Sequence, residues 1–267
     1  MGDHAPRVDV AGIVFRITGL DASGCAWVER RYAPFLSRRP ATVNVDVSPT
    51  ARYRRGRVPR PSASWGDGRF ALVSYPARAE GSLATASVSV RTGPGPAIST
   101  DVFRLLCGFL LLQEGGVLLH ASAVVDRGRA WVFSGPSGSG KTTLAGLAGP
   151  RRVLNDETIA LRPSPDGWTA CATPFYGSGG PAMAEVNERA PVRALCFLGK
   201  ADRFAHRRLS PAEAVGRAFP EVMLPKRDAR VAGELLGALA GLACRVPAYD
   251  VHFAPRAAIW DDLDGLG

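Results

Sequence analysis

Apolar residues fall on alternate positions in several short stretches of the N-terminal third, and this period-two pattern predicts strands. Residues 8–19, with Val8, Val10, Ile13, Phe15 and Ile17, predict one strand. Residues 42–47, 70–75 and 83–90 predict three more, the last apolar at every second residue. Asp67-Gly68 predicts a turn between strands. The first third is therefore expected to be β-rich and antiparallel. Between its strands, residues 51–65 hold Arg52, Arg54, Arg55, Arg57 and Arg60 with two prolines, and predict an exposed loop. That loop reads first as a solvated face, and its functional alternative is a docking patch for an acidic partner.

Residues 93–97, Gly-Pro-Gly-Pro-Ala, interrupt the pattern and divide the chain into a region 1–95 and a region 96–267. Ser99 or Thr100 then caps a helix through Phe103, Leu106, Phe109 and Leu110, and Gly115-Gly116 ends it. Residues 117–125 and 130–134 predict strands joined by a turn at 126–128, and residues 142–147 predict a helix. Short strands follow at 152–154, 158–162, 168–171 and 194–198. Ser210-Pro211-Ala212-Glu213 is a helix start with a capping box, 231–243 is a second helix, and 249–253 is a last strand. Trp260 to Asp264 reads as an acidic, solvated tail.

No apolar run approaches the ~18–20 residues that span a bilayer. The N-terminus carries Asp3 and His4 rather than a basic and then apolar leader, so a cytoplasmic protein without a membrane segment is expected. Five scattered cysteines with no C-x-x-C pair point to reduced thiols rather than zinc. The net charge is +9, and residues 1–100 hold 14 arginines against 7 acids, so the surplus sits in the N-terminal region. That region is expected to serve substrate or partner docking; nucleic acid is not the expected partner.

Residues 135–142 read Gly-Pro-Ser-Gly-Ser-Gly-Lys-Thr, the G-x-x-x-x-G-K-[ST] pattern of a phosphate-binding loop. Gly135, Gly138 and Gly140 permit backbone angles that a side chain forbids, and the loop then turns its N–H groups toward phosphates. The helix that follows adds its positive end. Lys141 reaches the outer phosphates, and the Thr142 hydroxyl is placed for Mg²⁺. The candidate ATP contacts are Gly135, Pro136, Ser137, Gly138, Ser139, Gly140, Lys141, Thr142 and Thr143. An apolar strand feeds the loop, as the motif requires. Asp156-Glu157 closes a short strand fifteen positions after Lys141. Two adjacent acids there can divide the work, one as general base toward a hydroxyl and one as a metal ligand.

Together, His120-Ala121-Ser122-Ala123, the strand at 130–134, the loop and Asn155-Asp156-Glu157 resemble the catalytic domain of HPr kinase/phosphorylase over roughly residues 105–162. The resemblance implies an α/β fold: a phosphoenolpyruvate-carboxykinase-like P-loop core over 96–267 behind the β-rich N-terminal region. It implies a Mg²⁺- and ATP-dependent serine kinase in which Asp156 is the catalytic base, Glu157 and Thr142 are metal ligands, and His120 and Lys141 stand at the reacting groups. The chain departs from the family in its N-terminal third and lacks the second family signature. It looks more like divergent serine-kinase relatives that modify a small protein or a precursor peptide. A homo-oligomer is a further expectation from the family. Two other classes stay open: a nucleotide-binding regulatory or adaptor protein with little turnover, and a small-molecule kinase. Residues 173–180 read as either a closing lid or an ordinary connection, and Arg203, Arg207 and Arg208 are candidates for a charge-balancing arginine.

Overall fold

A computed structural model describes residues 5–49, 60–74, 77–93, 100–176, 187–256 and 258–266. Arg52, Arg54, Arg55 and Arg57, the helix-cap candidate Ser99, most of the 93–97 break and Gly177 to Gly180 lie outside the described residues. The chain divides into two compact units: residues 1–110 with 224–234, and residues 111–223 with 235–267.

The first unit is built on a seven-stranded mixed sheet. Its elements are β1 (Arg7–Val10), β2 (Ile13–Thr18), α1 (Ala22–Arg31), β3 (Val43–Pro49), β4 (Ser62–Gly66), β5 (Arg69–Ser74), β6 (Ala77–Ser82) and β7 (Ser87–Thr92), followed by α2 (Thr100–Gln113). The sheet order is β1-β2-β3-β7-β6-β5-β4. Residues 8–19 make a hairpin rather than one strand, because Ala11 and Gly12 both take positive φ (54° and 91°) and the Asp9 carboxylate accepts the Gly12 N–H at 2.8 Å. Such a turn matches the twist of paired strands. Asp67-Gly68 makes the predicted turn in the same way, with φ of 51° and 70°. The unit is not wholly antiparallel: β2 with β3 and β3 with β7 run parallel. Alternation specifies which face of a strand is buried, not the direction of its neighbour. Residues 83–86 form a turn before β7, and residues 62–65, assigned to the basic loop by sequence, belong to β4. The core sets Phe103 of α2 against Phe15 (4.9 Å between ring centroids) and Phe109 against Phe70 (4.6 Å).

The second unit holds β8 (Val117–Asp126), β9 (Arg129–Ser134), α3 (Lys141–Gly146), β10 (Arg152–Asn155), β11 (Thr158–Ser164), β12 (Gly167–Cys171), β13 (Arg189–Lys200), β14 (Ala205–Arg208), α4 (Pro211–Ala218), most of α5 (Ala229–Arg245), β15 (Ala248–Phe253) and α6 (Ile259–Asp264). Strands β8 and β13 are long enough to pair with different partners along their length. Residues 117–120 of β8 pair with β11, and residues 121–126 pair with β9. Likewise β13 pairs with β12 at its start and with β9 and β15 farther on. The pairings β8–β11–β12–β13–β9–β8 therefore close on themselves. Strands β9 and β15 flank β13 and both run parallel to it, so the carboxyl ends of three strands emerge together.

The β8–β9 hairpin turns on Arg127 and Gly128 at positive φ. The capping box before α4 is present: Ser210 accepts the Glu213 N–H, and the Glu213 carboxylate accepts the Ser210 N–H at 2.8 Å. The end of the chain overturns the expectation of a solvated tail. Residues 259–264 form α6, with Ile259, Trp260 and Leu263 buried in the core beside Phe133 and Leu144. The aspartates that made it look solvent-directed occupy one side of a helix whose other side is apolar. No helix of the described residues is long and apolar enough to cross a membrane.

Candidate functional site

The glycine-rich loop joins the carboxyl end of β9 to α3. Gly135, Gly138 and Gly140 have φ of 141°, 79° and 106°, a region that side chains rarely enter. Space is tight as well. A Cβ on Gly140 would stand 3.0 Å from the Phe253 ring, and one on Gly135 would stand 3.2 Å from the Leu198 carbonyl. These glycines thus serve the backbone path and the close approach of neighbouring strands at once. Helix α3 has only six residues, so the loop amides rather than a long helix dipole must do most of the work toward an anion.

Two serines brace the loop against β8. The Ser134 hydroxyl donates to the His120 carbonyl at 3.0 Å, and the Ser122 hydroxyl donates to the Lys141 carbonyl at 3.3 Å. Lys141 is buried, and its Nζ donates to the Gly135 carbonyl at 2.7 Å and to the Pro136 carbonyl at 3.3 Å. Burial holds its pKa below the ordinary lysine value, opposed by the negative charges of Glu221 and Glu157. Thr142 and Thr143 are exposed at the start of α3, while Ser139 is buried with its hydroxyl unpartnered.

The acid pair sits on a turn between β10 and β11, and one buried side chain shapes that turn. Asn155 is fully buried, and its Oδ1 accepts the N–H groups of Glu157 (2.7 Å) and Thr158 (3.0 Å). Its Nδ2 donates to the Thr173 carbonyl at 2.9 Å. The Thr173 hydroxyl in turn donates to the Thr158 carbonyl at 2.7 Å. The Glu157 carbonyl accepts the N–H of Ala121, next to His120. The described part of residues 173–180 is therefore anchored to the acid turn. Burial pushes the Asp156 carboxyl above its ordinary pKa, and the neighbouring Glu157 adds to the rise against a backbone hydrogen bond that lowers it.

His120 stands between two carboxylates, with Nε2 3.6 Å from Glu157 and Nδ1 3.3 Å from Glu221. Glu221 lies on the short 3-10 turn Phe219–Glu221 after α4, and the following residues dock on β8: the Met223 N–H donates to the Leu118 carbonyl at 2.8 Å. The sequence carried no local signal for Glu221, which is 64 positions from Glu157. Lys141, His120, Glu157 and Glu221 thus share one electrostatic neighbourhood at the mouth of the loop. Arg207, a candidate charge-balancing residue, pairs instead with Glu213 at 2.8 Å on the surface. Arg203 and Arg208 are exposed.

These residues fit a nucleoside triphosphate and a divalent cation. The loop offers left-handed glycines, a buried lysine and an unsatisfied serine hydroxyl, and the acids beside it are oxygen donors suited to Mg²⁺. Among the described residues, no three His, Cys, Asp or Glu side chains gather into a metal cage. Mg²⁺ does not require one, because it retains water and phosphate ligands.

No family model matches the sequence, and no curated protein matches it. Among solved structures, the chain is similar to the Hpr(Ser) kinase/phosphatase from Coxiella burnetii at 11% identity and a TM-score of 0.32. That similarity spans 56% of this chain and 99% of the other, and is too slight to assign an activity.

Proposed function

We propose that this chain is a Mg²⁺- and ATP-dependent phosphotransferase that modifies a serine hydroxyl on a small protein or peptide. The observation that carries the reading is that the loop and the acid turn are both tied to the same stretch of β8: the Ser122 hydroxyl donates to the Lys141 carbonyl at 3.3 Å, the Ala121 N–H donates to the Glu157 carbonyl at 3.1 Å, and His120 Nε2 lies 3.6 Å from the Glu157 carboxylate. The loop amides and Lys141 hold the phosphate oxygens, and the Thr142 hydroxyl and Glu157 hold the metal. Mg²⁺, when bound, neutralises charge that builds on the transferring phosphoryl group. Asp156 takes the proton from the acceptor hydroxyl, and its raised pKa makes it a better base than an ordinary surface carboxylate. His120 keeps the Glu157 carboxylate in place from one side while Glu221 holds the imidazole from the other. An acceptor oxygen held in line with the phosphorus gains most of its rate from position.

The test pairs binding with transfer. Calorimetry measures Mg·ATP affinity, and γ-labelled ATP with a serine-containing peptide library measures transfer. Asp156→Asn is expected to bind Mg·ATP within about threefold of wild type and to lose at least about 100-fold in transfer, the scale of a general base. Lys141→Met is expected to lose binding. The proposal fails if the wild type does not bind Mg·ATP, or if Asp156→Asn transfers as well as wild type. Tight ATP binding by wild type without transfer to any acceptor would instead favour an adaptor.

A further inference from the structure

The sheet of the first unit has two unlike faces. Helix α2 packs Phe103 and Phe109 on one of them, and every second residue of β3 and β7 is buried on that side. The residues between point to the other face, where a cleft of about 870 Å³ runs across β3, β7, β6 and β5. Strand register sorts the exposed side chains there into rows. One row sets Asn44, Ser87, Ser82 and Arg69 side by side, and Arg16 extends it on β2. The next row sets Asp46, Ser89 and Glu80. A third, at the border of the cleft, sets Arg91 opposite Arg78. The rows therefore carry positive, negative and positive charge in turn.

We infer that this face docks an extended peptide segment with the charge pattern acid-x-base-x-acid. The inference concerns the first unit alone and does not depend on phosphate transfer. Three observations carry it. The first is spacing. Neighbouring rows are two residues apart along a strand, about 6.8 Å, and side chains on one face of an extended peptide have the same spacing. A peptide laid along β7 thus brings its residues i, i+2 and i+4 over the three rows. The second is the middle row. Ser89 stands between Asp46 and Glu80, whose Cα positions are about 10 Å apart across three strands. The short serine leaves the space above it to a long side chain, and a guanidinium with five donors can serve both carboxylates at once. The Thr18 hydroxyl donates to Asp46 at 3.1 Å and orients it. The third is the outer row. Arg78 and Arg91 lie directly opposite each other, which is destabilising for like charges. Arg78 pairs with Glu80 at 2.5 Å, but both side chains are half exposed or more, so that pair is weak and exchangeable. A peptide carboxylate between the two arginines relieves their repulsion and frees Glu80 for the peptide's base. Arg69 offers a partner to the acid at the other end.

The experiment measures binding of two dye-labelled peptides to the full chain by fluorescence anisotropy at low salt. One is Ser-Glu-Ser-Arg-Ser-Glu-Ser, and the other is the permuted Ser-Arg-Ser-Glu-Ser-Glu-Ser. Their composition and net charge are identical, so general attraction to a basic protein cancels. The permuted peptide is expected to bind at least about fivefold more weakly, because its base and one acid face like charges. Ser89→Arg places a tethered guanidinium between Asp46 and Glu80. It is expected to weaken the first peptide at least about tenfold while its thermal midpoint stays at or above that of wild type. A benzophenone beside the arginine of the first peptide is expected to label residues 44–48 or 78–91 of wild type, with unlabelled peptide suppressing the label; this readout needs no variant to fold. The inference is overturned if wild type binds the two peptides alike or binds neither, if folded Ser89→Arg binds as wild type does, or if the label falls outside those segments. Mg·ATP binding tests the phosphotransferase reading separately.

Discussion

Asn155→Ala removes a side chain that touches no expected ligand, yet it should cost both stability and turnover. The amide is fully buried and links the N–H groups of Glu157 and Thr158 to the Thr173 carbonyl through bonds of 2.7, 3.0 and 2.9 Å. Thr158 and Thr173 are also fully buried, so their released groups cannot turn to solvent. The Glu157 N–H is only partly buried and can recruit water. Orphaning two buried groups at about 1–3 kcal/mol each gives about 2–6 kcal/mol, with the low end applying if a water fills the gap. Against a total stability of roughly 5–15 kcal/mol, that is a large fraction. Urea unfolding should show a lower midpoint at unchanged slope. Because the chain has two units, amide hydrogen exchange at Glu157 and Thr158 gives the local reading, and their protection should fall before that of β13. Catalytic rate should drop about tenfold or more while Mg·ATP affinity changes little, since the loop keeps its braces from Ser122 and Ser134. A loss below about 1 kcal/mol, with protection and turnover intact, would refute the idea that this amide shapes the acid turn.

Further outcomes follow from the same structure. Trp260→Ala should destabilise by about 3–5 kcal/mol in thermal unfolding, because the ring is buried, donates to the Leu147 carbonyl at 2.7 Å and lies under Arg151 at 4.5 Å. A solvated tail would show no such loss. Glu213 is held down to about 2 by hydrogen bonds from the Ser210 backbone and hydroxyl and from Arg207. A carboxyl depressed in the folded state stabilises above its ordinary value of 4.5 and loses that effect as pH falls to about 2. The stability gap between wild type and Glu213→Gln should therefore shrink across that window in acid titrations. Asp156 has the opposite sign. Its folded pKa is raised, so the wild type loses stability as pH rises above 3.8 while Asp156→Asn does not. Without metal, Asp156→Asn should melt higher than wild type at neutral pH; a lower melting point there would contradict burial as the cause.

Much of the site is legible along the chain because its demands are local. The loop needs left-handed glycines, a lysine and a hydroxyl at fixed spacing, and residues 135–142 supply them at φ values that few side chains tolerate. The capping box at Ser210 and the Asp67-Gly68 turn are legible for the same reason: each is a bargain among neighbours. Asn155 was visible only as part of a motif. Its task depends on Thr173, which a hairpin of intervening strands brings back to it. Helix α6 was misread because a six-residue helix leaves too little periodicity to separate it from a charged tail.

By itself, the order of residues determined the glycine-rich loop, the acid turn after a short strand, and most of the strands and helices, since backbone conformation and side-chain period are set within a few positions. Tertiary structure alone decided strand direction, the closure of β8 and β13 through shared partners, and the arrival of Glu221 beside His120. It also set the charged rows of β3, β7 and β6 side by side. The reason is physical: hydrogen-bond pairing and charge act through space, and residues far apart in sequence become neighbours only once burial of the apolar faces has brought their strands together.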